Sequence, residues 1–487
     1  MNFIINGFHE ETFFPLISRT LKYFNVKHIH LTYNRLKLDA PSNADAFFYA
    51  VKDLAIGKYD VMWDDVTPLD EDIVEKMNDC EVVALKMMDR HSLSIEPPLS
   101  YDERKRIYLK HLRYWNHVIE KNNIDLFLSS SPPHEVYDFV IYCLCKIKKI
   151  PTVLFFQTSI ADTITIMEDW KVNNIDIKHE YQKLLEKYQF VDESSIFLSG
   201  RFERDFKFNT EKKNPVRFEM LRKKPKTSVM NNIMPLLAKL TFRRFLLLVK
   251  NSSLLIQGIV SHVNYVDRII KGKKALKFYR DNVLEPDLSQ KYIYFPLHLQ
   301  PEATTSPMAS VYVEQVLIAQ MLSYYLPDDV YIYVKENPFQ VAARRNIKFY
   351  KELLEISQVR FISDSFSTYD LIDNSLSVAT ATGTAGLEAL YRCKPVLMFG
   401  YNFYQYARGV FQIKSGIDCQ KALNEVITNR FRPSIKDIKI FLKALEHTTI
   451  EGYIDVDYRK DTRVNDEISN ENIFRVLVNK IKSVCHL

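Results

Sequence analysis

No stretch of the 487-residue sequence approaches 18 uninterrupted apolar residues, so nothing in it reads as a membrane-spanning helix. Cysteine is sparse: Cys80, Cys143, Cys145, Cys393, Cys419 and Cys485 are scattered, without the paired spacing of a metal site. Cys143 and Cys145 sit in an apolar helical pattern, where a thiol behaves as a small hydrophobe, and the whole usage suits a reducing cytosol. The start, MNFIINGFHEETFF, lacks a basic n-region and a small-residue cleavage site, so no signal peptide is expected. Solenoid-period repeats and low-complexity tracts are also missing. What remains is ordinary globular composition, 47% hydrophobic and 26% charged, in a chain long enough for two domains.

The net charge of +6 is unevenly spread. Residues 201–280 hold 20 Lys/Arg against five Asp/Glu, so a strongly basic segment lies between two mildly acidic bodies. In the first body, NFIING, VKHIHLTY, IDLFLSSS and TVLFFQTS read as buried strands, separated by segments with apolar residues at helical spacing. That alternation predicts a parallel sheet covered on both faces. From about residue 290 it returns: YIYFPLHL, VYIYVKENP, VRFIS, LSVATATG and KPVLMFG read as strands with helices between. The expected fold class is α/β, with two Rossmann-like doubly wound domains facing a cleft. The expected units are 1–175 (first Rossmann-like domain), 176–288 (helical basic insertion), 289–432 (second Rossmann-like domain) and 433–487 (helical tail packing back).

In open parallel sheets ligands bind beyond the carboxyl ends of the strands. Four such ends in the second body are polar: HLQPEATTSP at 298–307, KENP at 335–338, SDS at 363–365 and TATGTAGLEAL at 380–390. In the last, Gly383 permits a tight turn, and Thr384, Ala385 and Gly386 present amides at a helix start, a favourable place for an anion. Thr382 precedes them, and Glu388 is placed to reach a ribose hydroxyl. Lys335 offers a compact cation for phosphate. Each feature alone also fits packing or solvation: a structural histidine at His298, a solvated lysine, small residues serving strand-to-helix contact.

Together FPLHLQPEATTSP, YVKENP and TATGTAGLEALYRCKPVLMFGYNFY resemble the C-terminal half of the bacterial capsule polysaccharide biosynthesis family, which includes retaining β-Kdo transferases. The resemblance is clear over about residues 292–404. It implies a GT-B arrangement, with the nucleotide sugar on the C-terminal domain and the acceptor on the N-terminal one. Lys335 and Pro338 match the family's Lys-x-His-Pro phosphate element, where Asn337 replaces histidine. Thr384, Gly386, Glu388 and Ala389 match its helix start, and Gln300 and Glu302 its polar loop. His298, Gln300, Lys335, Asn337, Pro338, Thr382, Gly383, Thr384, Ala385, Gly386 and Glu388 are thus the candidate donor-binding residues.

Glycosyl transfer needs a stabilised leaving phosphate and a carboxylate near the anomeric carbon. Glu302 is the candidate on the donor side. On the acceptor side, SSSPPHEVYD places His134 and Glu135 at a strand-to-helix junction, with His9 and Glu10 as further lining. A carboxylate acts as nucleophile in a retaining reaction and as base in an inverting one, and the residues permit both. No Asp-x-Asp stands at a strand end, so metal independence and no cofactor are expected; Asp64 and Asp65 read as a loop edge. The expected substrates are a nucleotide sugar, CMP-Kdo preferred, and a saccharide or lipid-linked acceptor. The basic stretch 222–250 suits an anionic membrane surface, which places the chain in the cytoplasm or peripherally on the membrane's inner face. Nucleic acid is not expected, since no binding motif is present. A nucleotide-sugar epimerase, a polyol-phosphate transferase and a non-enzymatic assembly partner stay open as other readings.

Overall fold

The computed structural model describes residues 1–34, 44–91, 99–211, 252–340, 345–460 and 462–487. They form two seven-stranded sheets. The N-terminal sheet is built from β1 (Asn2–Asn6), β2 (His28–Tyr33), β3 (Asp45–Ala50), β4 (Leu126–Ser129), β5 (Thr152–Gln157) and β6 (Thr163–Met167). The C-terminal sheet takes β7 (Val283–Leu284), β8 (Lys291–Pro296), β9 (Val330–Lys335), β10 (Val359–Ile362), β11 (Ser377–Thr380), β12 (Val396–Met398) and β13 (Val410–Gln412). A last strand, β14 (Ile450–Glu451), returns to the N-terminal sheet.

The orders are β14-β6-β5-β4-β1-β2-β3 and β13-β12-β11-β8-β9-β10-β7. The second is parallel throughout. The first departs from the all-parallel expectation: β6 runs antiparallel to β5, and β14 antiparallel to β6. The five residues from Thr158 to Asp162 are too few for a crossover, so β5 and β6 pair as a hairpin.

The strands read as unbroken apolar runs because both faces are buried. Phe3 and Ile5 enter one cluster and Ile4 another; Tyr292 and Tyr294 lie on one face of the second sheet, Ile293 and Phe295 on the other. The described helices between the domains pack on both faces of the second sheet. Helices Ile175–Lys187 and Gly200–Glu211 cover the Tyr292 face, while the end of helix Ser252–Asp281, through Ala275 and Tyr279, covers the Ile293 face. The tail is divided. Helix Ile435–Thr448 packs on the Tyr292 face, and helix Asp466–Val484 packs with Phe3 and Ile5. The basic stretch 222–250 lies outside the described residues.

Two ring contacts join the domains, Trp170 edge-on to Tyr401 at 5.5 Å and Phe156 against Phe403 at 6.3 Å. Gln405 adds amide bonds to the carbonyls of Lys171 and Val172, and Lys86 pairs with Glu314 at 2.5 Å.

Strand order fixes where a site can form. Each sheet grows outward in both directions from its first long strand, so order reverses between β1 and β4 in one and between β8 and β11 in the other. Crevices open beyond the carboxyl ends at these reversals.

Candidate active site

At the C-terminal reversal, His298 from the loop after β8 meets the turn after β11. The Ala381 amide donates to His298 Nε2 at 3.1 Å, the Thr382 amide approaches it at 3.4 Å, and the Thr380 hydroxyl lies 3.1 Å away. An amide has only a hydrogen to give, so Nε2 is the ring's bare nitrogen. Burial, reinforced by the Arg345 charge, lowers His298 to about 4 and keeps it neutral. The Gly383 amide donates to Thr380 Oγ1 at 2.9 Å, extending the same chain. His298 therefore acts as the acceptor that shapes the turn.

From that turn, helix Thr384–Tyr391 begins with Gly383 as N-cap and no side-chain cap. Thr382, Gly383, Thr384 and Ala385 come together with His298 at this start. The amides of Thr384 and Ala385 fall in the first turn, where no intrahelical acceptor exists, so they suit an anion. Gly386 is required for packing: a Cβ there would stand 2.5 Å from the Tyr404 hydroxyl, which donates to the Gly383 carbonyl. The loop with Glu302 leans on the turn, since the Thr382 hydroxyl donates to Thr304 O at 2.6 Å and Glu302 Oε2 accepts from the Thr304 hydroxyl at 3.0 Å.

Other expected donor residues stand elsewhere. Glu388 is 2% exposed and acts electrostatically on Lys335, Tyr294 and Tyr404, so it lies beneath its helix rather than at a ribose. Lys335 donates to Phe366 O at 2.6 Å and Thr368 Oγ1 at 2.7 Å; burial lowers it to about 8, with Asp364 and Glu388 opposing. Gln300 is held in the loop after β8. Its amide nitrogen donates to Val313 O, and its oxygen accepts from Arg345 at 2.8 Å. Asn337 folds its oxygen back onto the Phe339 amide at 2.9 Å, and Pro338 is exposed on the same turn.

The residue that sequence reasoning missed here is Arg345. It forks onto both oxygens of buried Glu336, each at 3.1 Å, and reaches His298 O at 3.0 Å. Tyr350 and the Asn337 amide complete Glu336. This buried pair clamps the loop after β8 to the end of β9. Glu336 inside KENP was the available signal, but nothing in sequence pairs it with an arginine nine positions on.

At the N-terminal reversal, Gly7 adopts φ +78°, and a Cβ would lie 1.9 Å from Ser130 Oγ, so β1 and β4 can end in contact only with glycine there. Asp138, fully buried, accepts the amides of His134 (3.1 Å) and Glu135 (2.7 Å) and the Asn6 side-chain amide (3.2 Å). Burial raises Asp138 to about 6, with His134 lowering and Glu135 raising it further. Arg90 donates to His134 O at 3.1 Å and stands 3.3 Å from Glu135 Oε1. His9 Nε2 bonds Thr32 Oγ1 at 3.1 Å, and burial lowers its pKa against the pull of Glu135. Glu10 is exposed. Arg90 lies one helical turn from Lys86, which pairs with Glu314 of the other domain, so His134 and Glu135 lie at the edge facing the cleft. Asp64 and Asp65 are exposed on a short turn, Trp63–Asp65. Among the described residues no three His, Cys, Asp or Glu gather to hold a metal ion. None of the helices searched is long and apolar enough to cross a membrane.

Two facing Rossmann-like domains define a GT-B-like fold. Residues 306–453, from the Glu302 loop's end through helix Ile435–Thr448, match the model of the capsule polysaccharide biosynthesis protein family. Solved structures are similar at low identity. KpsC from Thermosulfurimonas dismutans, a beta Kdo 2,7 transferase, is 12% identical, with 78% of this chain and 90% of that chain covered and a TM-score of 0.31. A glycosyltransferase from Rickettsia africae ESF-5 is 10% identical over 99% and 98%, TM-score 0.26. UDP-GlcNAc 2-epimerase from Methanocaldococcus jannaschii, solved with UDP-GlcNAc and UDP, is 11% identical over 92% and 99%, TM-score 0.27. No curated protein matches the chain.

Proposed function

We propose that this chain is a metal-independent glycosyltransferase of capsular or other surface polysaccharide synthesis, transferring a sugar from a nucleotide donor to a saccharide or lipid-linked acceptor. The observation that carries this reading is the uncapped helix start at Thr384, held by neutral His298 at a strand-order reversal within the segment that matches the capsule family. The donor phosphate sits on the Thr384 and Ala385 amides, whose fixed dipoles stabilise charge on the departing group. Glu302 lies beside the sugar, and His134 and Glu135 meet the acceptor from the other domain. CMP-Kdo is the preferred donor. The basic stretch 222–250 brings the chain to the anionic inner face of the cytoplasmic membrane.

Thermal melting against CMP, CDP, UDP and GDP tests the donor site, since a ligand of the native state raises the midpoint. Incubation with CMP-Kdo and the sugar donor of any stabilising nucleotide, followed by product analysis, then tests the reaction. Stabilisation by none of the four, with no saccharide product, refutes the proposal; free epimerised nucleotide sugar replaces transfer with epimerisation.

A further inference from the structure

The transferase reading leaves open which group on the acceptor side takes the acceptor's proton, and the hydrogen bonds of the N-terminal reversal answer it. Resting on that reading, we infer that Nε2 of His134 is the catalytic base, with Asp138 and Arg90 as the positioning residues that hold it.

His134 Nδ1 lies 2.7 Å from the Pro132 carbonyl oxygen, which can only accept. Nδ1 therefore carries the hydrogen, and the lone pair of the neutral ring is at Nε2. The side chain is 23% exposed, so Nε2 is within a substrate's reach at the cleft edge. Asp138 fixes the backbone beneath it by taking both the His134 and Glu135 amides, and Arg90 holds the His134 carbonyl from the other side.

Glu135 is less suited to the base role. Its Oε1 is engaged by the Arg90 guanidinium at 3.3 Å rather than turned to an acceptor hydroxyl. The same oxygen lies 3.7 Å from His134 Nε2, where it stabilises the ring once protonated. His9 is the other histidine near Glu135, but it is more deeply set and its Nε2 is engaged by Thr32.

In the step itself, the acceptor oxygen forms its bond to the anomeric carbon as its proton passes to Nε2. In a single inverting displacement the bond from that carbon to the donor phosphate oxygen breaks, with the electron pair leaving on the phosphate at the Thr384 helix start; in the second step of a retaining one the bond to the Glu302 carboxylate breaks, with the pair returning to Glu302. The imidazolium beside Glu135 then returns its proton to water.

The test uses the full chain with the donor identified by the melting screen. His134→Ala is expected to lower kcat about 10²–10⁴-fold with KM within about threefold, while the nucleotide still raises the melting midpoint because it binds the other domain. Added imidazole restores turnover in His134→Ala, which a purely structural role does not permit. Asp138→Asn lowers kcat about tenfold without imidazole rescue, since its base is present but displaced. His134→Gln serves as a second variant should the alanine form fold poorly, with the same loss of kcat expected. Retention of more than about a tenth of kcat in both His134 variants, a loss that imidazole does not restore, or rescue in His9→Ala instead overturns the inference. Absence of product from the unaltered chain with every donor overturns the transferase reading and this inference together, a result distinct from the others.

Discussion

Replacing His298 by glutamine tests whether a neutral histidine holds the turn at the donor site. Glutamine places an oxygen near the position of Nε2 and can accept the Ala381 amide, but it does not titrate. In the native protein His298 takes up a proton only near pH 4, whereas the unfolded chain does so at 6.5. Between those values the unfolded state binds more protons, so stability falls as pH falls through the window. Fully developed, the loss is about 3 kcal/mol, and about 2 kcal/mol of it is expressed between pH 7.5 and 5. His30, lowered to about 4 by burial, acts in the same direction, and Asp138, raised to about 6, in the opposite one. The difference between the two proteins therefore isolates His298. Urea unfolding of the native chain and His298→Gln, followed by tyrosine and tryptophan fluorescence from pH 7.5 to 5, is the assay. The native chain loses about 2 kcal/mol more than the variant on going to pH 5. Parallel profiles refute the argument, because they mean that His298 titrates normally and the amides do not depend on it.

Glu336→Gln leaves Arg345, 3% exposed at its side chain, as an uncompensated buried cation, and costs about 3–5 kcal/mol in urea unfolding. Gly386→Ala drives a Cβ against the Tyr404 hydroxyl and costs about 1–3 kcal/mol; combined with Tyr404→Phe, the loss is smaller than the sum of the two singly. Glu302→Gln is expected to abolish saccharide product while the stabilising nucleotide raises its melting midpoint as in the native chain. If product persists at native levels, Glu302 has no part in the chemistry.

Much of the architecture was legible because strands buried on both faces must be apolar throughout. NFIING, YIYFPLHL and LSVATATG could hardly be anything else, and the polar residues where they stop marked the carboxyl ends. β3, DAFFYA, escaped notice because it stands at the sheet's edge, with Phe47 exposed. β14 escaped because two residues carry no pattern; its partner β6 lies nearly 300 positions earlier. Lys335 illustrates a different limit. A lysine at a strand end after an apolar run is the same string whether it meets phosphate or, as here, a neighbouring turn's carbonyl and threonine.

Two α/β domains with largely parallel sheets, the helix start at 384–386 and the junction at His134 and Glu135 could be read from the chain alone, because periodicity and backbone chemistry are local properties. That His298 is neutral, that Gln300 is held by Arg345, and that Arg345, Asp138 and Arg90 hold the two crevices was settled by tertiary packing. Those outcomes depend on which groups face one another across strands and on how deeply burial suppresses charge, and neither is encoded in the spacing of residues along a chain.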